Sequence, residues 1–282
     1  MLRIGTCSWK YDSWKGIIYP YKDEINYLKE YSKHYDTVEV DQWFWSLFDN
    51  KKVLLPKDTD VKAYTKSAPD NFKFTIKIPN SITLTHYYNR DKKAPLKTNP
   101  YFFSPDLMKA FLQSLKPMNK KIGVLMFQFE YLNKQKMRGL QEFLDRFEAF
   151  YSNIKSNFKF GLEIRNPNYL KKPFFEFIKE NKLAMVFLQG YYMPPIWNTF
   201  NEFNDYIKDT VVIRLHGPDR SGIEKITGGD WSKIVEPKDE ELKKISEIIH
   251  FLQKKKVGAY INVNNHYEGS TPLTIIKLQN LL

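Results

Sequence analysis

The sequence predicts a (β/α)8 barrel that forms one domain over residues 1–282. Eight short β-rich runs recur along the chain. Their starts lie roughly 25 to 50 residues apart, which leaves room for a crossover helix each time. Within the runs apolar and polar residues alternate, and the polar set gathers toward the C-terminal ends. A barrel with a ligand site at its mouth requires that pattern.

The runs cover residues 2–7, 37–41, 72–78, 122–129, 158–165, 183–189, 210–216 and 257–264. Between them, Met137, Leu140, Phe143, Leu144 and Phe147 repeat at helical spacing, as do Leu242, Ile245, Ile249 and Leu252. Ser104 before Pro105 reads as an N-cap with proline at the first helical position, opening a helix to about residue 116. Residues 197–207 fit a helix, and Pro272 opens a last one to residue 282. Eight such units close naturally into a barrel.

The strand faces argue more strongly than the count. Side chains alternate between the helix side and the barrel interior. Glu39 and Asp41 oppose Val38 and Val40, and Thr75 and Lys77 oppose Phe74, Ile76 and Ile78. Glu163 and Arg165 oppose Leu162 and Ile164, while Arg214 and His216 oppose Ile213 and Leu215. Asn262 and Asn264 oppose Ile261 and Val263, and Gln128 and Gln189 end their strands. Charged groups inside a barrel are costly unless they pair or meet a ligand, so this polar ring is the leading functional signal.

Composition narrows the classes. No run of 18 apolar residues is present, so no membrane span is expected. The single Cys7 cannot form an intramolecular disulfide, and the start runs directly into a strand, which together suggest a cytoplasmic protein. The net charge of +12 favours anionic partners, nucleic acid among them, although lysines such as Lys254, Lys255 and Lys256 read as a solvated helix face. No Gly-rich phosphate loop, Rossmann fingerprint, H-E-x-x-H or Ser-His-Asp motif occurs, and Gly228-Gly229-Asp230 reads as a turn.

Seven segments at predicted strand ends carry a resemblance. They are Gly5-Thr6-Cys7-Ser8-Trp9, Thr37-Val38-Glu39-Val40-Asp41, Leu84-Thr85-His86, Phe127-Gln128, Glu163-Ile164-Arg165-Asn166-Pro167, Arg214-Leu215-His216-Gly217 and Asn264-Asn265-His266-Tyr267-Glu268-Gly269. In this order they resemble the YecE-like family, domain of unknown function 72, over nearly the whole chain. The resemblance implies a TIM-type barrel and the place of its site, and no particular chemistry. Departures occur at Ser8, where the family usually has Gly, at Asp41, where it has Asn, and near residues 43–45, where a Thr-Phe-Tyr run is usual. Phe129-Glu130-Tyr131 replaces a Leu-Pro-Pro run.

Two readings of the ring follow from its residue types. In one, Glu39, Asp41 and Glu163 neutralise Lys77, Arg165 and Arg214 in a structural ion network. In the other, Glu163 and His216 move protons while Arg165, Lys77 and Arg214 hold a negative substrate. Glu163→Gln should then abolish turnover and leave the fold intact. Trp9, Tyr11, Glu39, Asp41, His86, Gln128, Asn264, Asn265 and His266 complete the candidate binding set. For Asn264 and Asn265 the alternative is loop bracing. Trp14 and Trp45 read as packing residues of a lid. His34 and His250 fall in predicted helices, as surface or packing residues.

His86, His216 and His266 with Glu39 and Glu163 are suitable ligand types for a divalent metal. The cations of the same ring oppose one, so a divalent metal is not favoured; no motif requires a cofactor, and Cys7 lacks an evident base to make it a nucleophile. The leading function is thus a hydrolase, lyase or isomerase acting on a small polar, anionic substrate such as a phosphorylated sugar. Alternatives are a nucleic-acid-binding protein, including a metal-dependent nuclease or repair enzyme, and a barrel that binds a ligand without turnover.

Overall fold

A strand with one apolar and one polar face buries both when the sheet closes on itself and helices cover its outside. The computed structural model, which describes residues 1–48, 52–88 and 95–282, takes that form. The eight parallel strands are β1 (Leu2–Cys7), β2 (Thr37–Val40), β3 (Lys73–Lys77), β4 (Ile122–Gln128), β5 (Phe160–Glu163), β6 (Ala184–Gly190), β7 (Thr210–Gly217) and β8 (Gly258–Val263). They follow one another around the barrel, and β8 pairs with β1 to close it. The fold is the expected single (β/α)8 barrel architecture.

Helices α1 (Tyr27–Tyr31) and α2 (Asp58–Ser67) follow β1 and β2. Helices α3 (Asn80–Thr83) and α4 (Pro105–Ser114) both follow β3. Then come α5 (Leu140–Tyr151), α6 (Lys172–Glu180) and α7 (Ile196–Phe203), after β4, β5 and β6. β7 is followed by α8 (Arg220–Thr227) and α9 (Asp239–Lys254), and β8 by α10 (Thr271–Gln279). The Ser104 hydroxyl accepts from the Leu107 N–H at 3.2 Å, the cap expected before Pro105. Met137 lies outside α5, because Gly139 precedes the helix, yet it is buried. No helix among the described residues is long and apolar enough to cross a membrane.

The helix-facing residues, among them Val38, Val40, Phe74, Ile76, Leu162, Ile213 and Ile261, join one large core. Inside the barrel, Val124, Met126, Ala184, Val186, Val212 and Tyr260 form a separate apolar plug. Two residues further along β4, β7 and β8 stand Gln128, Arg214 and Asn262, so a polar layer rests on the plug.

Gln189 corrects one expectation. Its Nε2 donates to Glu241 of α9 at 2.8 Å, and its Oε1 accepts from the Ile196 N–H at 3.0 Å. It therefore ties the barrel to the helix layer. The alternation of β6 turns Ala184, Val186 and Leu188 inward and Gln189 outward.

The mouth is drawn tight by glycine. Gly217 has φ +75°, and a Cβ there would stand 2.4 Å from the His266 carbonyl oxygen. Gly217→Ala combines left-handed strain with a backbone clash, so a loss of about 2 to 4 kcal/mol is expected in denaturant unfolding. A change under 0.5 kcal/mol would mean that the two loops are free to part.

Candidate functional site

Arg214 stands at the centre of the polar layer. Its Nε and Nη2 donate to the two Glu39 carboxylate oxygens, each at 2.7 Å. Its Nη1 donates to Gln128 Oε1 at 3.1 Å and to Glu163 Oε2. Asn262 Nδ2 bridges Glu39 Oε2 at 3.1 Å and Thr75 Oγ1 at 2.9 Å. Arg165 Nε reaches the other Glu163 oxygen at 2.8 Å. Six strands thus contribute to one buried network, in which a bidentate guanidinium and two carboxylates satisfy one another.

The electrostatics follow from this geometry. Burial would raise the Glu163 carboxyl, but Arg214 and Arg165 outweigh it and hold it below the usual range. A carboxylate so held has no proton to give at neutral pH. Burial opposes the charge on Arg214, yet Glu163 and Glu39 keep the guanidinium firmly protonated. Two expectations change. Arg214 is spent on carboxylates and lies too deep to meet a ligand, and Glu163→Gln would not be silent in the fold, because it removes one of Arg214's two counter-charges.

Lys77 is different. It ends β3 on the inner face, 9% exposed, and its Nζ sits 4.0 Å over the Phe44 ring. No hydrogen bond or ion pair reaches that amine among the described residues. Burial and then the repulsion of Arg214 lower it to about 8, against the pull of Glu39 and Asp41. Asp41, one residue past β2, is only partly buried, and desolvation followed by the Glu39 charge raises its carboxyl.

His216 is buried at the end of β7, with Nε2 3.7 Å from Cys7 Sγ and Nδ1 3.4 Å from Tyr191 Oη. Burial, then Arg214, Arg165 and Lys77, hold the imidazole well below its ordinary value, so it is neutral. Burial and Glu39 likewise push the Cys7 thiol up, which keeps it protonated. Tyr191 also lies under the Arg165 guanidinium, 4.9 Å from it. Only Gly190 ahead of it marked this residue in the sequence. Its backbone φ of +53° turns the ring over the mouth. Ser8, with φ +66°, shows why glycine suits that position.

The remaining candidates divide. Trp9 and Asp41 line one cavity of about 500 Å3 with Ser8, Lys10, Gln42 and Tyr64. Tyr11 Oη donates to the Cys7 carbonyl at 3.5 Å, and the ring packs on buried Trp14. Asn264 Oδ1 accepts from the His266 N–H and Asn265 Oδ1 from the Thr271 N–H, so both brace the loop into α10. His266 pairs with Glu224 at 3.0 Å. His86 bonds Thr85 at 2.9 Å in the segment after α3. Trp45 is 61% exposed rather than packed.

Among the described residues one metal-type trio appears, Cys7, Glu39 and His216, with ligand atoms within 4.8 Å of one another. Both Glu39 oxygens already serve Arg214, the thiol keeps its proton, and a guanidinium stands beside them. The trio therefore suits a divalent cation poorly. His86, His266 and Glu163, which are also suitable ligand types, are not in it.

These features define a (β/α)8 barrel with an ion-networked mouth. A family model described as "Protein of unknown function DUF72" matches residues 3–282, and the chain belongs to that family. No curated protein matches. A solved DUF72 family protein from Enterococcus faecalis V583 is 19% identical, with a TM-score of 0.70 over 100% of this chain and 95% of that one. Another, from Thermotoga maritima MSB8, is 20% identical, with a TM-score of 0.64 over 99% of this chain and 97% of that one. Both likenesses concern the fold.

Proposed function

We propose that the barrel mouth is the active site of an enzyme acting on a small anionic substrate, such as a phosphorylated sugar. The observation that carries this reading is the division of the ring's cations. Arg214 is consumed by Glu39 and Glu163, whereas among the described residues Lys77 has no counter-ion and Arg165 makes one hydrogen bond, through Nε, with no bond from its Nη atoms. Arg165 would receive the anion, Lys77 would face the reacting end, and neutral His216 and Asp41 would handle protons. Glu163 takes a positioning role between its two arginines. Trp9, in the neighbouring cavity, would contact the rest of the substrate.

The test is thermal stability against phosphosugars, neutral sugars and inorganic phosphate. A ligand at 100 times its dissociation constant adds about 2.7 kcal/mol and moves the midpoint by roughly 5 to 10 °C. The shift should arise with phosphosugars and disappear in Arg165→Ala. Equal shifts in the variant, or none with any anion, would overturn the reading.

A second reading, oligonucleotide binding, draws on exposed aromatics in segments that leave the C-terminal strand ends. Trp45 and Phe48 follow β2, Tyr88 follows β3, and Tyr131 and Tyr192 follow β4 and β6. Bases stack on such rings, and the net charge of +12 favours phosphates. Anisotropy of a labelled oligonucleotide should then show binding that weakens steeply with salt, and no binding at low salt would exclude it.

A further inference from the structure

We infer that Lys77 forms an imine with the carbonyl carbon of a small anionic aldehyde or ketone. This rests on the reading of the mouth as an anion-binding enzyme site, and it adds the substrate class and a covalent step. An amine that attacks a carbonyl must be free of ion pairs, partly neutral, and beside a group that can protonate the departing oxygen. Lys77 meets the first condition by geometry, since its Nζ touches the Phe44 face and no carboxylate within bonding distance. Of the two carboxylates whose charge Lys77 feels, Glu39 is committed to Arg214, and Asp41 makes no ion pair with the amine among the described residues. Phe44 also blocks one side of the amine, so a substrate approaches from the mouth.

The second condition follows from burial and from Arg214, which lower Lys77 to about 8. About a tenth of the amine is then neutral at pH 7, against less than a thousandth for an exposed lysine. Asp41 meets the third. It is partly exposed, its carboxyl is raised by desolvation and Glu39, and its charge is felt by Lys77.

In the first step the Lys77 nitrogen bonds the carbonyl carbon, the C=O π pair moves to oxygen, and a nitrogen proton follows to that oxygen. In the second the carbinolamine C–O bond breaks, the hydroxyl leaves as water with a proton from Asp41, and a cationic imine remains. No oxidant or metal enters. The imine draws electrons from the adjacent carbon, which makes that carbon's proton or its bond to a leaving fragment easy to release. Arg165 holds the anionic end meanwhile.

The experiment is reductive trapping. The full chain at pH 7.5 is mixed with glyoxylate, pyruvate or dihydroxyacetone phosphate, treated with borohydride, and analysed by intact mass and peptide mapping. One equivalent of reduced adduct is expected on the peptide carrying Lys77 with at least one probe, at least 10-fold faster than on surface lysines, and absent in Lys77→Arg. Adducts confined to surface lysines with all three probes would overturn the inference. Thermal shift with the same probes separates the two levels. A shift that depends on Arg165 without an adduct leaves the anion-site reading standing and removes the covalent step. Neither shift nor adduct removes both.

Discussion

Arg214→Met should destabilise the protein by about 3 to 5 kcal/mol at pH 7, because it leaves Glu39 and Glu163 as buried carboxylates without their shared counter-ion. For a chain of this length that is a fall in midpoint of roughly 5 to 8 °C. The pH dependence identifies the cause. In the parent, Glu163 is held below its usual range by Arg214 and Arg165, so the folded state keeps that stabilisation at neutral pH and loses it as pH falls through the lowered value. Without Arg214, the burial of these carboxylates is no longer opposed by a shared guanidinium. Protonation then relieves the uncompensated charge in the folded variant, so its deficit shrinks on acidification. Adding Glu39→Gln and Glu163→Gln to Arg214→Met should recover much of the loss at pH 7. A deficit that is flat with pH and not relieved by the two glutamines would assign the cost to a cavity rather than to charge.

This network also marks how far the sequence was legible. Alternation in runs such as 158–165 and 210–216 placed Glu163, Arg214 and His216 on the inner face, because period-two patterning is a local property of a strand. The partners of Arg214 are not local. Glu39 lies 175 residues away in sequence, on a strand across the barrel, and only closure brings them together. Period two also fails where a strand ends. Asn264 and Asn265 stand past β8 and turn their side chains to the loop backbone. Gln189 looked like a ring member because it is polar at a strand end, but its partner Glu241 comes from a helix whose docking no local pattern encodes. Tyr191 reaches His216 through a left-handed backbone after Gly190, a conformation that Gly-Tyr alone does not specify. The strands were therefore readable to within about two residues, whereas the division between spent and unspent charges was not.

That division makes the most demanding prediction at Lys77. Lys77→Met should be more stable than the parent at pH 7, by up to about 3 kcal/mol, while losing the trapped adduct. Methionine matches the length of the lysine stem and packs well on Phe44. In the parent the folded amine titrates at about 8, below the roughly 10.4 of an unfolded lysine. Below pH 8 both states are protonated, and the folded state carries the full cost of a buried, poorly compensated cation. Between about pH 8 and 10.4 the unfolded chain binds more protons, so the parent gains stability as pH rises. The advantage of the methionine variant should accordingly be constant below pH 8 and fade above it, with the difference between the two proteins cancelling the titration of every other lysine. Urea unfolding of both at pH 7, 9 and 10.5 measures this directly. A variant no more stable at pH 7, or an advantage unchanged at pH 10.5, would mean that the fold does not strain this amine. A stability gain coupled to loss of the adduct would mean that the barrel holds Lys77 at a cost in stability, which a purely structural lysine would not justify.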